Sequence, residues 1–498
     1  MSLIQISHLT FSYPGSYDPV FTDVNLRLDS RWKLGLTGRN GRGKTTLLRI
    51  LAGEYPQTGI EIREVPRIFP CPVAYPEHRV AAVAREVTGD MVPDWMLERE
   101  LNLLGLGEAF LERTFSTLSQ GEQARVLLAA LFLQEASYPL IDEPTNHLDA
   151  GGRARLGEYL RSRRQGFLLV SHDRVLLDTC VDHMLSIERT GLSLMQGNYS
   201  VWQRERDRRD AGELAENDRL TREIHRLQEG ARRAAAWSDK VEKGKYATRN
   251  SGLRVDRGYV GHQSARMMQQ AKNIEARREK AIVEKTALLK NLETAEDLKL
   301  WPMEYPDSCL VRCRDLSVCY GGQEIFAPVT FELHGGERLA LAGANGSGKS
   351  SVLRLICGEK VPHSGLCEIA SGLVISRVAQ SPEPFDGTPG EYAQHHNVDK
   401  SLFLAILRKL GFERVQFEKR ISDLSAGQQK KLMLARSLCQ RAHLYLWDEP
   451  LNYIDVISRR QIEELILRYR PTLLFVEHDR AFCQTVATRT VELAQYSH

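Results

Sequence analysis

The sequence lacks any run of about 18 uncharged apolar residues, so no membrane-spanning helix is expected in it. Its longest apolar stretches, residues 167–170 and 473–476, are sized for buried strands. An export signal is also missing. Residues 1–13 alternate apolar and polar like a strand, with no basic start and no continuous apolar centre, and a cytoplasmic location is expected. There is little surplus charge: 67 Lys and Arg stand against 64 Asp and Glu, a net of +3, so affinity for nucleic acid would need a local cluster. The nine cysteines are odd in number and scattered, which excludes a disulfide framework. Cys309, Cys313 and Cys319 cluster, but at no zinc-binding spacing, and are expected as free thiols at a strand edge. Proline is absent from residues 203–301, although the chain holds 19.

What the sequence does contain is a repeat. Residues 38–45 read GRNGRGKT and residues 343–350 read GANGSGKS, 305 positions later. LSQGEQ at 118–123 and LSAGQQ at 424–429 are 306 apart, as are IDEPTNHLD at 141–149 and WDEPLNYID at 447–455. SHDR at 171–174 and EHDR at 477–480 keep the 306 offset. Four motifs in one order imply a duplicated α/β domain. The expected organisation is residues 1–201, a linker at 202–302, and residues 303–498.

The first motif of each set is a P-loop. Its glycines (Gly38, Gly41, Gly43; Gly343, Gly346, Gly348) let backbone N–H groups curl around phosphates at a helix N-terminus, with Asn40 and Asn345 in the turn. Lys44 and Lys349 would reach the β- and γ-phosphates of ATP, while the Thr45 and Ser350 hydroxyls would face Mg²⁺. Residues 32–37 and 338–342 read as the strands before these loops, 46–51 and 351–357 as the helices after them. Thr46 and Ser351 follow as candidate nucleotide contacts. The buried strands expected at 137–141 and 443–447 end in Asp142-Glu143 and Asp448-Glu449. The aspartates suit Mg²⁺, and the glutamates stand where an attacking water must be polarised. His172 and His478 close two further strands, placed to contact a γ-phosphate.

These pieces resemble the ABC ATPase family across nearly the whole chain. The most diagnostic element is the signature, here Ser119-Gln120-Gly121-Glu122-Gln123 and Ser425-Ala426-Gly427-Gln428-Gln429. The resemblance implies that each signature caps the nucleotide on the opposite P-loop. Lys44 and Glu143 would then work with Ser425, Gly427 and Gln428, and Lys349 and Glu449 with Ser119, Gly121 and Glu122. It also implies adenine stacking at Tyr13 and Tyr320, where a core role is equally open, and D-loops at Asp149 and Asp455. Gln380 matches the family's Q-loop glutamine, a Mg²⁺ contact. Residues 71–75 (CPVAY) hold none, so the two sites are not expected to be equivalent.

The linker is charged, and its apolar residues are spaced for helices: Leu220, Ile224, Leu227 and Ala231, then Ile274, Ala281 and Leu288. Residues 243–261 interrupt this with four glycines, so an antiparallel hairpin of two helices of about 38 residues, about 57 Å each, is expected. Residues 231–272 carry ten basic and three acidic side chains. Lys243, Lys245, Tyr246, Arg249, Arg254, Arg257 and Tyr259 combine phosphate-neutralising charge with stackable rings, as RNA binding requires. A charge run can equally be a solvated helix face. With tandem domains and this linker, the chain resembles the ABC-F group, and residues 256–272 and 448–454 resemble its Lsa-like antibiotic-resistance branch. The resemblance implies a monomer acting at the exit site of the bacterial 70S ribosome, against 23S rRNA and P-site tRNA. There it would protect the peptidyl-transferase centre from lincosamides, streptogramin A compounds and pleuromutilins. A housekeeping ABC-F translation factor and the ATPase subunit of a drug exporter are the competing readings.

Overall fold

The computed structural model describes residues 3–14, 19–55, 59–71, 73–89, 92–134, 137–146, 148–188, 191–247, 299–307, 309–321, 323–412 and 414–494. Residues 203–294 form one compact unit; residues 1–202 with 295–498 form the other.

In the larger unit the repeat becomes two similar sheets. The first half orders its strands Val65–Phe69, Ser137–Asp142, Phe167–Val170, Lys33–Gly38 and His183–Glu188 in parallel, with Gly191–Gln196 antiparallel at the edge. The second half orders Ile375–Val378, Leu444–Asp448, Leu473–Val476, Arg338–Ala342 and Arg489–Glu492 in parallel. Such sheets are covered on both faces, which is why Phe167–Val170 and Leu473–Val476 are apolar at every position. Phosphate loops and acidic turns leave the carboxyl ends of these strands, where open parallel sheets hold ligands.

Each half adds a small antiparallel sheet and a helical layer. The layers consist of Val80–Thr88, Asp94–Leu103 and Gln120–Leu133, and of Pro389–His395, Lys400–Lys409 and Ala426–Cys439. Trp447 is fully buried between strand and helix, and its indole N–H donates to Ser437 Oγ at 2.9 Å, so the core carries no orphaned donor there.

Two expectations need correction. Cys309–Tyr320 is not an edge strand: it pairs with Val329–His334 on one side and His363–Ile369 on the other, and buries Cys313. All nine cysteines are free thiols. The first linker helix is longer than expected, running 49 residues from Tyr199 to Ala247 and through Gly244. One glycine costs a helix only about 1 kcal/mol, which the flanking turns absorb. Tyr199 and Trp202, at the start of this helix, are buried in the first half's core.

Candidate functional site

The site begins with strand Lys33–Gly38 and helix Lys44–Leu51. Gly43 precedes the helix at φ 89°, and a Cβ there would stand 2.6 Å from Val20 Cγ1. Only glycine lets the loop turn and approach that closely. Gly348 repeats this at φ 84° before helix Lys349–Ile356.

Lys44 Nζ donates to the carbonyls of Gly38 (2.7 Å) and Arg39 (3.2 Å) and to Asn40 Oδ1 (3.1 Å). Lys349 Nζ donates to the Gly343 and Ala344 carbonyls at 2.9 and 2.7 Å. Burial holds both ammonium groups below their usual pKa, against the pull of nearby carboxylates. A phosphate beside them would reverse that cost.

Two cavities contain these lysines. The first, about 640 Å³, is lined from the first half by Tyr13, Asn40, Gly41, Gly43, Lys44, Thr45, Thr46, Asp142, Glu143 and His172. From the second half it takes Ser425, Gly427 and Gln428. The other, about 520 Å³, joins Tyr320, Asn345, Gly346, Gly348, Lys349, Ser350, Ser351, Gln380, Glu449 and His478 to Ser119 and Gly121. Each P-loop therefore faces the opposite signature. The tyrosines stand at the rims, held by hydrogen bonds from Tyr13 to Thr46 (2.7 Å) and from Tyr320 to Ser351 (2.9 Å).

Both signature serines are helix N-caps. Ser119 and Ser425 accept from the backbone N–H of Glu122 and Gln428, which bond back in capping boxes. Glu122 accepts from the Ser119 N–H and hydroxyl within its box and is not among the residues lining the second cavity, whereas Gln428, in the equivalent box, lines the first. Gly38, Gly343 and Asp448 are not lining residues either; the first two serve through their carbonyls.

The donors fit Mg²⁺. Thr45 Oγ1 donates to Asp142 Oδ2 at 2.8 Å, Ser350 is hydrogen-bonded to Asp448, and Asp448 Oδ1 is buried without a hydrogen-bond partner. A hydroxyl beside a buried carboxylate is the oxygen set a hard divalent cation takes.

The two carboxylates Glu143 and Glu449 differ. His172 Nε2 lies 3.3 Å from Glu143 Oε1, and His478 Nε2 lies 3.3 Å from Glu449 Oε1. Burial, reinforced by Asp142, pushes the Glu143 carboxyl up to about 8. Burial acts on Glu449 too, but the His478 hydrogen bond and charge, Lys430 and Asn452 outweigh it and hold the group below its usual value. Gln380 also donates to Glu449 Oε1 at 3.4 Å, whereas no residue of 71–75 lines the first cavity among the described residues. Burial and the charges of Lys44 and Arg459 keep His172 neutral, well below the usual imidazole range.

Several lining residues were not anticipated: Asn146, Arg153, Gly411, Gln416, Lys431, Asn452, Tyr453 and Arg459. Most reach the first cavity only because the halves face each other. Asn40 Nδ2, for instance, donates to the Tyr453 carbonyl at 2.8 Å across 413 positions. Of the linker candidates, Lys243, Lys245 and Tyr246 fall on the helix Tyr199–Ala247, with their side chains outside the described residues. Arg249, Arg254, Arg257 and Tyr259 lie outside the described residues altogether.

The profile of the ABC transporter family matches residues 21–146 and 326–452. The chain is 28% identical over 477 residues to the ribosome protection protein VmlR of Bacillus subtilis, covering 95% of this chain and 84% of that one. It is 27% identical over 529 residues to the energy-dependent translational throttle protein EttA of Haemophilus influenzae, covering 95% and 89%. Among solved structures it is similar to the archaeal ribosome recycling factor aABCE1, crystallised with the stalk protein aP1. The TM-score there is 0.60 at 20% identity, over 95% of this chain and 84% of that one.

Proposed function

This chain belongs to the ABC transporter family of ATPases, and we propose that, as an ABC-F type member, it couples ATP hydrolysis to the bacterial 70S ribosome. The observation that carries this is the pair of cavities, each joining one P-loop to the other half's signature. Two nucleotides would hold such halves together, and hydrolysis would release them. No helix among the described residues is long and apolar enough to cross a membrane, which supports a target other than a fused transport channel.

In this reading Lys44 and Lys349 take the β- and γ-phosphates, Tyr13 and Tyr320 stack on adenine, and the signature serines and glycines close over the γ-phosphate. Glu143 and Glu449 orient and deprotonate water, with His172 and His478 beside them. Mg²⁺, held by Thr45 with Asp142 and by Ser350 with Asp448 and Gln380, would neutralise phosphate charge. The linker tip, from Lys243 to Tyr259, meets 23S rRNA from the exit site and lowers the occupancy of lincosamide, streptogramin A and pleuromutilin sites. The relative named a ribosome protection protein supports this.

The test is ribosome co-sedimentation of the Glu143→Gln/Glu449→Gln variant with and without ATP. ATP-dependent, salt-sensitive pelleting is expected; a variant that stays in the supernatant refutes a ribosomal target and favours an exporter subunit. The likeness to a translational throttle protein favours a second reading, a translation factor indifferent to drugs. Unchanged minimum inhibitory concentrations of lincosamide and pleuromutilin on expression in a susceptible host would select it. Tyr259→Ala should reduce protection and spare the ATPase.

A further inference from the structure

Between two halves built by repetition, a side chain present on one side only can make the two sites unequal. Arg459, on helix Val456–Tyr469, is buried, and all three of its guanidinium nitrogens are engaged. Nε and Nη2 donate to the Ile454 and Leu451 carbonyls at 2.9 and 3.0 Å. Nη1 donates to Asp479 Oδ2 at 3.0 Å and, across the halves, to the His172 carbonyl at 3.1 Å. One turn later Glu463, also buried, receives both ends of the Arg174 fork from the first half, and Arg174 lies 3.7 Å from Asp479.

At the 306 offset the counterparts are Arg153, Gly157, Arg480 and Asp173. Among the described residues they rebuild only part of the arrangement. Arg153 repeats the contacts within its own half, to the Leu148 carbonyl at 3.0 Å and Asp173 at 3.5 Å, and lines the second cavity with His478, but among the described residues it makes no hydrogen bond to the His478 carbonyl. Gly157 offers no carboxylate, and the one hydrogen bond Arg480 makes across the halves among the described residues is an exposed one to the Ala150 carbonyl at 3.4 Å. A cavity of about 30 Å³, lined by Gly157, Arg480 and His478 among others, lies where the forked pair would be.

We propose that Arg459, braced by the Arg174–Glu463 pair, is a positioning residue for the first ATP site, and that its counterpart Arg153, which lacks that brace, does not act in the same way on His478 in the second. It fixes the backbone of His172, and so the imidazole that faces Glu143. A forked arginine pair is directional, so it sets register as well as proximity. The first site is thus completed by the second half through more than its signature. This inference rests on hydrolysis at Glu143 and Glu449 and is independent of the ribosomal target.

Glu449→Gln isolates hydrolysis at the first site, and Glu143→Gln isolates it at the second. Arg459→Met and the milder Glu463→Gln are compared in both backgrounds by single-turnover ATP hydrolysis, with a fluorescent ATP analogue reporting affinity. A displacement near 1 Å can cost about 100-fold, so first-site hydrolysis should fall at least about tenfold with affinity within about twofold. Second-site hydrolysis should fall less than about threefold. Arg174→Glu combined with Glu463→Arg should recover what either single change loses. Gly157→Glu tests the gap directly. An added Cβ there meets Thr179 Cγ2 and Leu176 Cδ1 at 3.4 and 3.5 Å, ordinary contacts, and the carboxylate would face Arg480. That variant should narrow the rate difference between the sites. Equal losses at both sites, loss confined to affinity, or failure of the charge swap to rescue would overturn the proposal. A chain that hydrolyses no ATP before substitution would instead sink the ATPase reading itself.

Discussion

The two carboxylates proposed to activate water, Glu143 and Glu449, should give the two sites different pH profiles. With the Glu143 carboxyl pushed up to about 8, about one group in eleven is ionised at pH 7, and a water-activating base works only when ionised. Glu449, held below its usual range, is fully ionised there. In the Glu449→Gln background hydrolysis should therefore rise roughly tenfold between pH 7 and 9, whereas in the Glu143→Gln background it should stay flat. Quenched-flow measurement of single-turnover hydrolysis at fixed free Mg²⁺ reads both. The same shift acts on stability. The folded chain keeps the Glu143 proton between about 4.5 and 8, where the unfolded chain has lost it, so stability of the nucleotide-free protein falls as pH rises through that window. Glu143→Gln should flatten this slope in urea titrations. Superimposable rate profiles from the two backgrounds would refute the assignment of unequal bases.

Gly427→Ala would put a Cβ 2.8 Å from Tyr453 Cβ and disturb the turn whose carbonyl holds Asn40. First-site hydrolysis should fall about tenfold, and second-site hydrolysis less. Ser437→Ala removes the partner of the buried Trp447 indole and of Ser376 Oγ, and should cost about 1–3 kcal/mol in urea unfolding. Chelation of Mg²⁺ should abolish hydrolysis reversibly, and Asp142→Asn should raise the Mg²⁺ needed for half-maximal first-site turnover about tenfold.

Phosphate chemistry is what made the site legible in sequence. A loop that must wrap an anion tolerates few residue types, so Gly43, Lys44 and Thr45 announce themselves, and the repeat at Gly348, Lys349 and Ser350 removes ambiguity. Buried parallel strands are equally plain, and Phe167–Val170 and Leu473–Val476 fall where continuous apolar runs place them. A polar residue after a signature serine closes a capping box in both halves, and only geometry shows that Gln428 also lines its cavity while Glu122 does not. Lys431, Gln416 and Gly411 enter the first cavity through the meeting of distant surfaces, which no local pattern encodes. Arg459 left a faint signal: it sits four residues past Asp455, as Arg153 does past Asp149, while the break between Glu463 and Gly157 was there to notice. Cys313 is buried because its strand pairs on both sides, with Val329–His334 and with His363–Ile369, a placement that no local pattern encodes.

Glu143 and Glu449 sit at φ 46° and 48°, a region where a side chain with a Cβ is strained by roughly 1 kcal/mol. Their N–H groups are pinned to the Val170 and Val476 carbonyls at 2.9 Å, so the backbone cannot relax to suit the residue. Glycine would fit both positions more comfortably than glutamate. Laboratory selection for thermal tolerance alone should therefore discard these two carboxylates early and yield a hardier chain that holds nucleotide and never lets it go.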